Sequence, residues 1–467
     1  MQPWRIVDFP ALPLIEIGMK DKHGLLSGPI DQTLKNMTIP MVFGLVAILA
    51  FNLVDTFFIS LLGTEALAAV SFTFPITFAV NCITMGIGVG ISTGVARLLG
   101  RSAQIDAARL SGHGLMLAVI LVIAASALGL STINPLFRML GAHENLLPLI
   151  HDYMSVWYLT IPLLVIPMAG NSAIRATGDT KTPAKIMIVA GFINGLLDPL
   201  LIFGLGPIPA LGVKGAAIAS AISWAGALVC SLYVLIKREK LLAWPSPTKI
   251  VQDWKDILAI GTPAALSNAL NPISGAILMT MLAAQGTAAV AAYGAAQRVE
   301  SLLLIVMMAL TSSLTPLMAQ NFGANNPTRS FEALFRAMRF SILFQFIVFL
   351  AMVPLSVPIA AIFSQEPAVQ NKLWHYLIVV PVSYGMQGVM MMLVSALNAM
   401  KKPVHAFIMN LIRLFVLLLP MAWLGSLIDG TEGMFIGIAV ANGITGIFAY
   451  LYAVTLRKQM KLEPLKL

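Results

Sequence analysis

The chain has 467 residues, of which 58% are hydrophobic and only 10% are charged, and its mean hydropathy is +0.88. Soluble domains do not reach this hydropathy, so the composition excludes a soluble enzyme and predicts a membrane-embedded body with short connections. The formal net charge of +9 follows from where the basic residues lie along the chain and gives no evidence for nucleic-acid binding.

Twelve apolar stretches are long enough to cross a hydrocarbon layer of about 30 Å. Because every backbone polar group in lipid must be paired internally, runs of this length predict α-helices. The predicted spans cover residues 36–62, 67–97, 110–130, 152–174, 183–204, 213–236, 257–282, 288–317, 334–362, 372–398, 404–427 and 434–456. We therefore expect an all-α membrane protein with twelve transmembrane helices.

Polar segments divide these spans into two sets of six. Residues 1–35 are too polar for a secretory signal and are expected to form a cytoplasmic lead that is not cleaved. The polar segment 237–256 is the expected cytoplasmic connector between a first lobe, residues 36–236, and a second lobe, residues 257–456. Residues 457–467 are the expected cytoplasmic tail.

The second set of spans repeats the first. Residues 63–69 recur 223 positions later, and the same offset pairs Gly100 with Gly323. The offset has drifted to 218 where Gly212 pairs with Gly430. Six helices per repeat is an even number, so both halves insert with the same orientation and form two pseudo-symmetric bundles, an organisation typical of transporters.

The distribution of basic residues predicts the orientation. With the N-terminus in the cytoplasm, 24 of the 29 lysines and arginines fall in inner segments, and the outer loops contain only Arg138, Lys214 and Lys372. An excess of this kind marks the cytoplasmic side. We expect a multi-pass protein of the inner (plasma) membrane with both termini in the cytoplasm.

Asp55, within the first predicted span, is the most informative residue. A carboxylate inside a transmembrane helix costs about 3 kcal/mol on insertion scales unless it is protonated, paired or hydrated. A proton- or cation-binding role explains its presence, and a structural hydrogen bond to a neighbouring helix is the alternative.

The fifth and sixth spans supply candidate partners for Asp55. Asn194 and Asp198 are four residues apart and share a helix face, and Pro199 follows directly. Ser220 lies about two turns into the sixth span, at a similar depth. The sequence predicts that these four polar groups converge in the outer half of the first lobe, although Asp198 could instead begin an outer turn.

The repeat provides an internal control for this prediction. By the offsets of the repeat, Leu278, Leu414, Leu418 and Ile438 occupy the corresponding positions of the second lobe. The fold therefore does not require polar groups there, which favours a function confined to the first lobe. Two nearby carboxylates in a low-dielectric pocket resist a second ionisation, so the pair is suited to carry a proton.

Four residues of the second lobe are candidates for a substrate cavity. They are Glu300 in the eighth span, Met386 and Gln387 in the tenth, and Arg413 in the eleventh, although methionine is also an ordinary lipid-facing residue. No two of the six histidines have metal-ligand spacing, and we expect neither a metal site nor a cofactor apart from the coupling ion.

Several motifs resemble those of the multidrug and toxic compound extrusion (MATE) family, in its DinF-like branch. They are Asp55 with Pro40 fifteen residues earlier, and the segments NGLLDP at 194–199, GTEALAAVSF at 63–72 and RATGDTKTP at 175–183. The resemblance covers nearly the whole chain after the lead. It implies two lobes arranged in a V around a cavity, and alternating access by rocking.

The resemblance implies an exporter of cationic or amphipathic drugs that exchanges them for protons or sodium. It assigns Asp55, Asn194 and Asp198 to the cation-linked cluster, whereas Ser220 stands where the family pattern has threonine. Pro40 is the expected hinge. The predicted function is a monomeric, proton-coupled multidrug efflux antiporter, with sodium coupling left open, and not an enzyme. A lipid-linked oligosaccharide flippase of the same superfamily is the alternative.

Overall fold

The computed structural model describes residues 21, 23–204, 207, 209–460 and 462, and these form a helical membrane body. In chain order the helices are α1 Ile30–Ser60, α2 Thr64–Gly100, α3 Gln104–Met139, α4 Leu147–Ala176, α5 Lys181–Phe203, α6 Gly212–Arg238, α7 Ile250–Ala283, α8 Thr287–Leu303, α9 Ile305–Gly323, α10 Pro327–Phe363, α11 Pro367–Ala399 and α12 Pro403–Gln459.

Two breaks reconcile these helices with twelve membrane crossings. Helices α8 and α9 are bent by 44° at Leu304 and together form one crossing. Helix α12 has 57 residues, well over twice the length that a bilayer needs, and is interrupted at Asp429 and Gly430. Because a Cβ atom at Gly425 would collide with the carbonyl of Gly433, the chain turns back there and α12 supplies two crossings. The described residues therefore contain the expected twelve.

The predicted ends of several spans differ from the observed helix ends. Helix α1 begins at Ile30, within the expected lead, and α7 begins at Ile250, within the expected connector. The first turns carry Asp31 and Asp253, which suit the positive end of a helix dipole but lower the local hydropathy. Residues 1–20 and 22 of the lead, and 461 and 463–467 of the tail, lie outside the described residues.

The repeat in the sequence is also a repeat in backbone conformation. Gly63 and Gly286 have φ angles of 109° and 110°, and Gly212 and Gly430 both have a φ of 55°. These left-handed conformations favour glycine, which explains why the glycines recur at the corresponding turns. The two bundles consequently follow the same chain path.

Paired glycines bring the two lobes into contact. A Cβ atom at Gly100 would collide with the backbone of Gln320, and one at Gly323 would collide with the backbone of Arg97. Residues 97 and 320, like 100 and 323, are separated by the repeat offset of 223. The end of α2 and the end of α9 therefore cross at the pseudo-symmetry axis, and only glycine permits so close an approach.

Hydrogen bonds at this crossing obey the same symmetry. Arg97 donates from Nη1 to the carbonyl oxygen of Ala399 at 3.2 Å, and Gln320 donates from Nε2 to that of Ala176 at 2.7 Å. The segments 101–103, 177–180, 239–249, 324–326 and 400–402 connect helices at this end of the molecule, here called the basic end. These contacts close the basic end.

Apolar packing is shared between the lobes near the basic end and divided at the opposite end. Val95 of α2 and Leu317 of α9 belong to one core that spans both lobes. Ile59 and Ile202 belong to a small core of first-lobe residues, and Tyr376 belongs to a core of second-lobe residues. The lobes therefore form a V that is joined at the basic end and open at the other.

The segment before α1 adds a strap across the closed end. Leu25 is buried, and its carbonyl oxygen accepts hydrogen bonds from Asn321 Nδ2 at 2.9 Å and Arg329 Nε at 3.2 Å. Asp31 pairs with Arg336 of α10 at 2.5 Å. The described part of the expected lead thus ties the first lobe to the second.

Candidate functional site

Asp55 lies in the open half of the molecule, five residues before the end of α1 at Ser60. Its side chain is half-buried, and Oδ1 has no hydrogen-bond partner among the described residues. The alternative of a structural hydrogen bond therefore does not account for this oxygen. A carboxylate placed in this way must be hydrated, protonated or bound to a cation.

Asn194, Asp198 and Ser220 form one buried network between α5 and α6. Asn194 and Asp198 are fully buried, and Ser220 is 6% exposed. With the Asn194 amide oriented to satisfy both neighbours, Nδ2 donates to Asp198 Oδ2 at 2.9 Å, and Oδ1 accepts from the Ser220 backbone N–H and hydroxyl, both at 3.1 Å. Asn194 therefore fixes the position of Asp198 relative to α6.

Asp198 lies inside α5, five residues before its end at Phe203, and does not begin an outer turn. Its Oδ1 atom is buried without a hydrogen-bond partner in the described part of the chain. Pro199, the next residue, lies inside the same helix and has no N–H to donate to the preceding turn. Asp198 thus has one fixed oxygen and one that is available to bind a proton.

The network faces Asp55 across the contact between α1 and α5. Asp55 lies close enough for its charge to act on Asp198. The structure therefore brings together the four polar residues that the sequence singles out. Two negative charges in this buried space repel each other, so a shared proton or a cation stabilises the pair.

Tyr153 of α4 is a member of this pocket that the sequence prediction missed. The charges of both Asp55 and Asp198 act on its hydroxyl. Tyr153 lies six residues after the start of α4 at Leu147, about as deep as Asp55 lies from the end of α1. The predicted fourth span begins only at residue 152, which places Tyr153 at its edge, so the sequence contained no signal for the depth of this hydroxyl.

Pro40 lies inside α1, which remains helical through it. One turn before it, the Met37 carbonyl oxygen accepts a hydrogen bond from Thr180 Oγ1 at 2.8 Å. One turn after it, Gly44 lets α1 approach the backbone of Ala184 on α5. Pro40 therefore separates an anchored segment of α1 from the segment that carries Asp55, and its role as a hinge remains a prediction.

Glu300 and Arg413 lie close together in the second lobe. Tyr376 donates its hydroxyl hydrogen to Glu300 Oε2 at 2.6 Å, and the charge of Glu300 acts on Arg413. Arg413 is 9% exposed and lies in a π-helical segment, Ile412–Leu418, where Nε has no partner among the described residues. Glu300 is thus the acidic residue whose charge acts on Arg413, although no carboxylate oxygen of the described residues lies within 4.0 Å of its guanidinium group.

Gln387 and Met386 lie on the side of α11 that packs against α12. Gln387 is 7% exposed, and its Oε1 accepts a hydrogen bond from Asn442 Nδ2 at 3.4 Å. Met386 is half-buried, with its backbone against Gly446. A contact of these two residues with substrate remains a prediction. Within the described residues, no group of three His, Cys, Asp or Glu side chains is arranged to hold a metal ion.

Comparison with known proteins identifies the family. The MatE family model matches residues 40–200 and again 263–424, one match in each lobe. A protein of Shewanella oneidensis named an FAD transporter is 46% identical over 450 residues, which cover 96% of this chain and 98% of that protein. The multidrug export protein MepA of Staphylococcus aureus is 25% identical, over 95% of this chain and 98% of MepA.

A solved structure agrees with this assignment. The Vibrio cholerae MATE transporter VcmN in its bent form is 32% identical, superposes with a TM-score of 0.88, and covers 92% of this chain and 97% of VcmN. The match of the family model to both lobes and the shared fold confirm the resemblance carried by Asp55, Pro40 and the NGLLDP segment. The chain therefore belongs to the MATE family of membrane transporters and is not an enzyme.

Proposed function

We propose that the protein is a secondary exporter of flavin adenine dinucleotide (FAD) that is driven by proton entry through the Asp55 and Asp198 pocket. The observation that carries the choice of cargo is the 46% identity, over nearly the full length of both chains, to a protein named an FAD transporter. The identity to the multidrug exporter MepA is 25%. FAD is amphipathic, as the sequence analysis expects of the cargo, but it is an anion and not a cation.

The negative charge of FAD supports its choice as the cargo. FAD carries two phosphate groups, and each elementary charge that crosses a potential of 100 mV changes the free energy by about 2.3 kcal/mol. A membrane potential that is negative inside therefore favours export of an anion and opposes export of a cation. Arg413, buried near Glu300, supplies a positive charge in the second lobe.

The proposed proton step uses only residues of the first lobe. In the open state the pocket takes up one proton from the outer side, which removes the repulsion between Asp55 and Asp198. Neutral Asp55 no longer requires hydration, so the part of α1 beyond Pro40 can pack more closely against α5. Release of cargo and closure of the V follow, and the proton leaves when the pocket faces the cytoplasm.

A second candidate function is export of cationic drugs, which the relationship to MepA favours. The oligosaccharide flippase is a weaker alternative, since Arg413 is the only buried arginine among the described residues of the second lobe. We further propose that the protein acts as a monomer in the inner membrane with both termini in the cytoplasm, and that it belongs to the DinF-like branch.

Flux measurements in proteoliposomes test the cargo and the ion separately. Vesicles containing the purified protein are loaded with FAD or with ethidium, and efflux is followed under an imposed pH gradient and then under a sodium gradient. We expect efflux of FAD under the pH gradient alone, and none with Asp55→Asn. Efflux of ethidium without FAD would favour the multidrug function, and efflux driven only by sodium would refute proton coupling.

A further inference from the structure

A second polar cavity lies between the lobes at the basic end, far from the Asp55 pocket. Its volume is about 160 Å³. Arg97 and Arg101 of α2 and Arg109 of α3 line it from the first lobe, and Lys401, in the turn between α11 and α12, lines it from the second. Gly90 and Gly94 of α2 also line it.

Cations exceed anions in this cavity. The lining contains four cationic side chains and two carboxylates, those of Asp253 and Asp256. Asp253 is already paired, because its Oδ2 accepts a hydrogen bond from Arg109 Nε at 3.0 Å and lies 2.7 Å from His113 Nδ1. Asp256 is exposed and accepts a hydrogen bond from Gln252.

Three cations of the lining are left without an acidic partner. In the described part of the chain, no carboxylate oxygen is within 4.0 Å of Arg97, Arg101 or Lys401. Arg97 and Arg101 are one helical turn apart, and their charges repel each other. An anion between them would remove this repulsion.

The repeat shows that the fold does not require these cations. At the offset of 223, Arg97, Arg101 and Arg109 of the first lobe correspond to Gln320, Ala324 and Glu332, none of which is positively charged. The lobes cross there with the same backbone geometry, so the fold does not depend on these three arginines.

We propose that this cavity is a binding site for a phosphate-bearing anion that joins the two lobes. The three cations without an acidic partner favour a multiply charged anion, and guanidinium groups bind phosphate oxygens with paired hydrogen bonds. The bound anion contacts α2 on the first lobe and Lys401 on the second, so it stabilises the state in which the basic end is closed. This inference does not depend on FAD being the cargo.

Dissolved phosphate esters and phospholipid headgroups share this chemistry, so the experiment has one arm for each. In the first arm, the thermal unfolding midpoint of the purified protein in uncharged detergent is measured against pyrophosphate concentration. A ligand that binds only the folded protein raises the midpoint, and the rise grows with the logarithm of the ligand concentration once that concentration exceeds the dissociation constant. In the second arm, the protein is placed in phosphatidylcholine nanodiscs with or without phosphatidylglycerol.

The test variant is Arg101→Gln with Lys401→Gln, and the matched control is Lys249→Gln with Lys402→Gln. The control removes the same charge from the same end of the molecule, but neither residue lines the cavity. We expect pyrophosphate to stabilise the wild type and the control, and to bind the test variant at least tenfold more weakly. Stabilisation by phosphatidylglycerol alone, lost in the test variant, would support the site with a lipid headgroup as its ligand. Equal responses of test variant and control in both arms would overturn the proposal.

Discussion

The two lobes follow the same backbone path but differ in the side chains that they place at the level of Asp55. The first lobe has two carboxylates, an amide and a hydroxyl there. The second lobe has Leu278, Leu414, Leu418 and Ile438, all between 3% and 6% exposed and part of its apolar core. The same positions can therefore be filled with hydrocarbon, which is the packing that a membrane helix ordinarily prefers.

The lobe interface at the basic end shows the opposite behaviour. There Gly100 and Gly323 make equivalent backbone contacts, and Arg97 and Gln320 donate equivalent hydrogen bonds. The two lobes keep equivalent residues where the shape of the fold requires them. They differ where the first lobe needs polar groups for its function. Substitutions at symmetric positions should consequently have similar effects in both lobes, whereas substitutions in the polar pocket should matter in the first lobe only.

The largest effect is expected for Asp55→Asn. An amide of the same size cannot carry a proton, so proton-driven flux in proteoliposomes should fall at least 100-fold, or about 2.7 kcal/mol. The variant should remain folded, as measured by its elution from a size-exclusion column, because the second lobe packs with leucine at this position. Asp152→Asn, an equivalent change on the exposed start of α4, serves as control. Wild-type flux in Asp55→Asn would refute the proposed pocket.

Gly100→Ala and Gly323→Ala test the symmetric contact. Each added methyl group would collide with backbone of the other lobe, so each variant should destabilise the closed basic end by about 2 kcal/mol. Crosslinking between cysteines introduced on α2 and α9 would measure the closed population, with the exposed Cys230 replaced by serine beforehand. Effects that differ more than tenfold between the two variants would contradict the equivalence of the lobes.

Asp198→Asn should reduce flux about tenfold, or about 1.4 kcal/mol. Asparagine can still accept a hydrogen bond from Asn194, so the pocket should keep its shape while Asp55 loses the partner that shares its proton. If the two carboxylates act as a unit, the double variant with Asp55→Asn should transport no worse than Asp55→Asn alone. An additional tenfold loss in the double variant would show that Asp198 acts independently.

The smallest effect is expected for a substitution of Asp179, which lies in the turn between α4 and α5. The second lobe has Lys402 at the corresponding position, 223 residues later. Burial acts to raise the pKa of the Asp179 carboxyl, but hydrogen bonds from the Thr182 hydroxyl and backbone N–H, together with the charge of Arg238, hold it below its usual range. A lowered folded-state pKa stabilises the protein at pH values above the unfolded pKa of about 3.9.

Asp179→Asn should therefore lower the free energy of unfolding by about 1 kcal/mol at pH 7, a modest value because solvent screens the half-exposed Arg238. The difference from wild type should shrink as the pH falls below about 4, where the wild-type carboxyl also becomes protonated. The free energy of unfolding of both proteins in detergent, measured at pH 7 and again below about pH 4, tests this prediction. A difference that grows in acid would contradict the assignment.

The sequence by itself determined the helical class, the twelve crossings, the duplication and the depth of Asp55, Asn194, Asp198 and Ser220. These properties follow from local rules, because a crossing requires a long apolar run and a helix has a fixed rise per residue. The helix ends at Ile30 and Ile250 were not predicted, since charged first turns interrupt the apolar signal without interrupting the helix.

Only the tertiary structure decided which side chains face each other. The approach of Asp55 to Asp198, the presence of Tyr153 beside them, and the proximity of Arg413 to Glu300 depend on how each helix is rotated about its axis. It also decided that the V is closed at the basic end, where Gly100 and Gly323 meet. Rotation and tilt are set by the packing of helices that are distant in sequence, and no local pattern of residues encodes that packing.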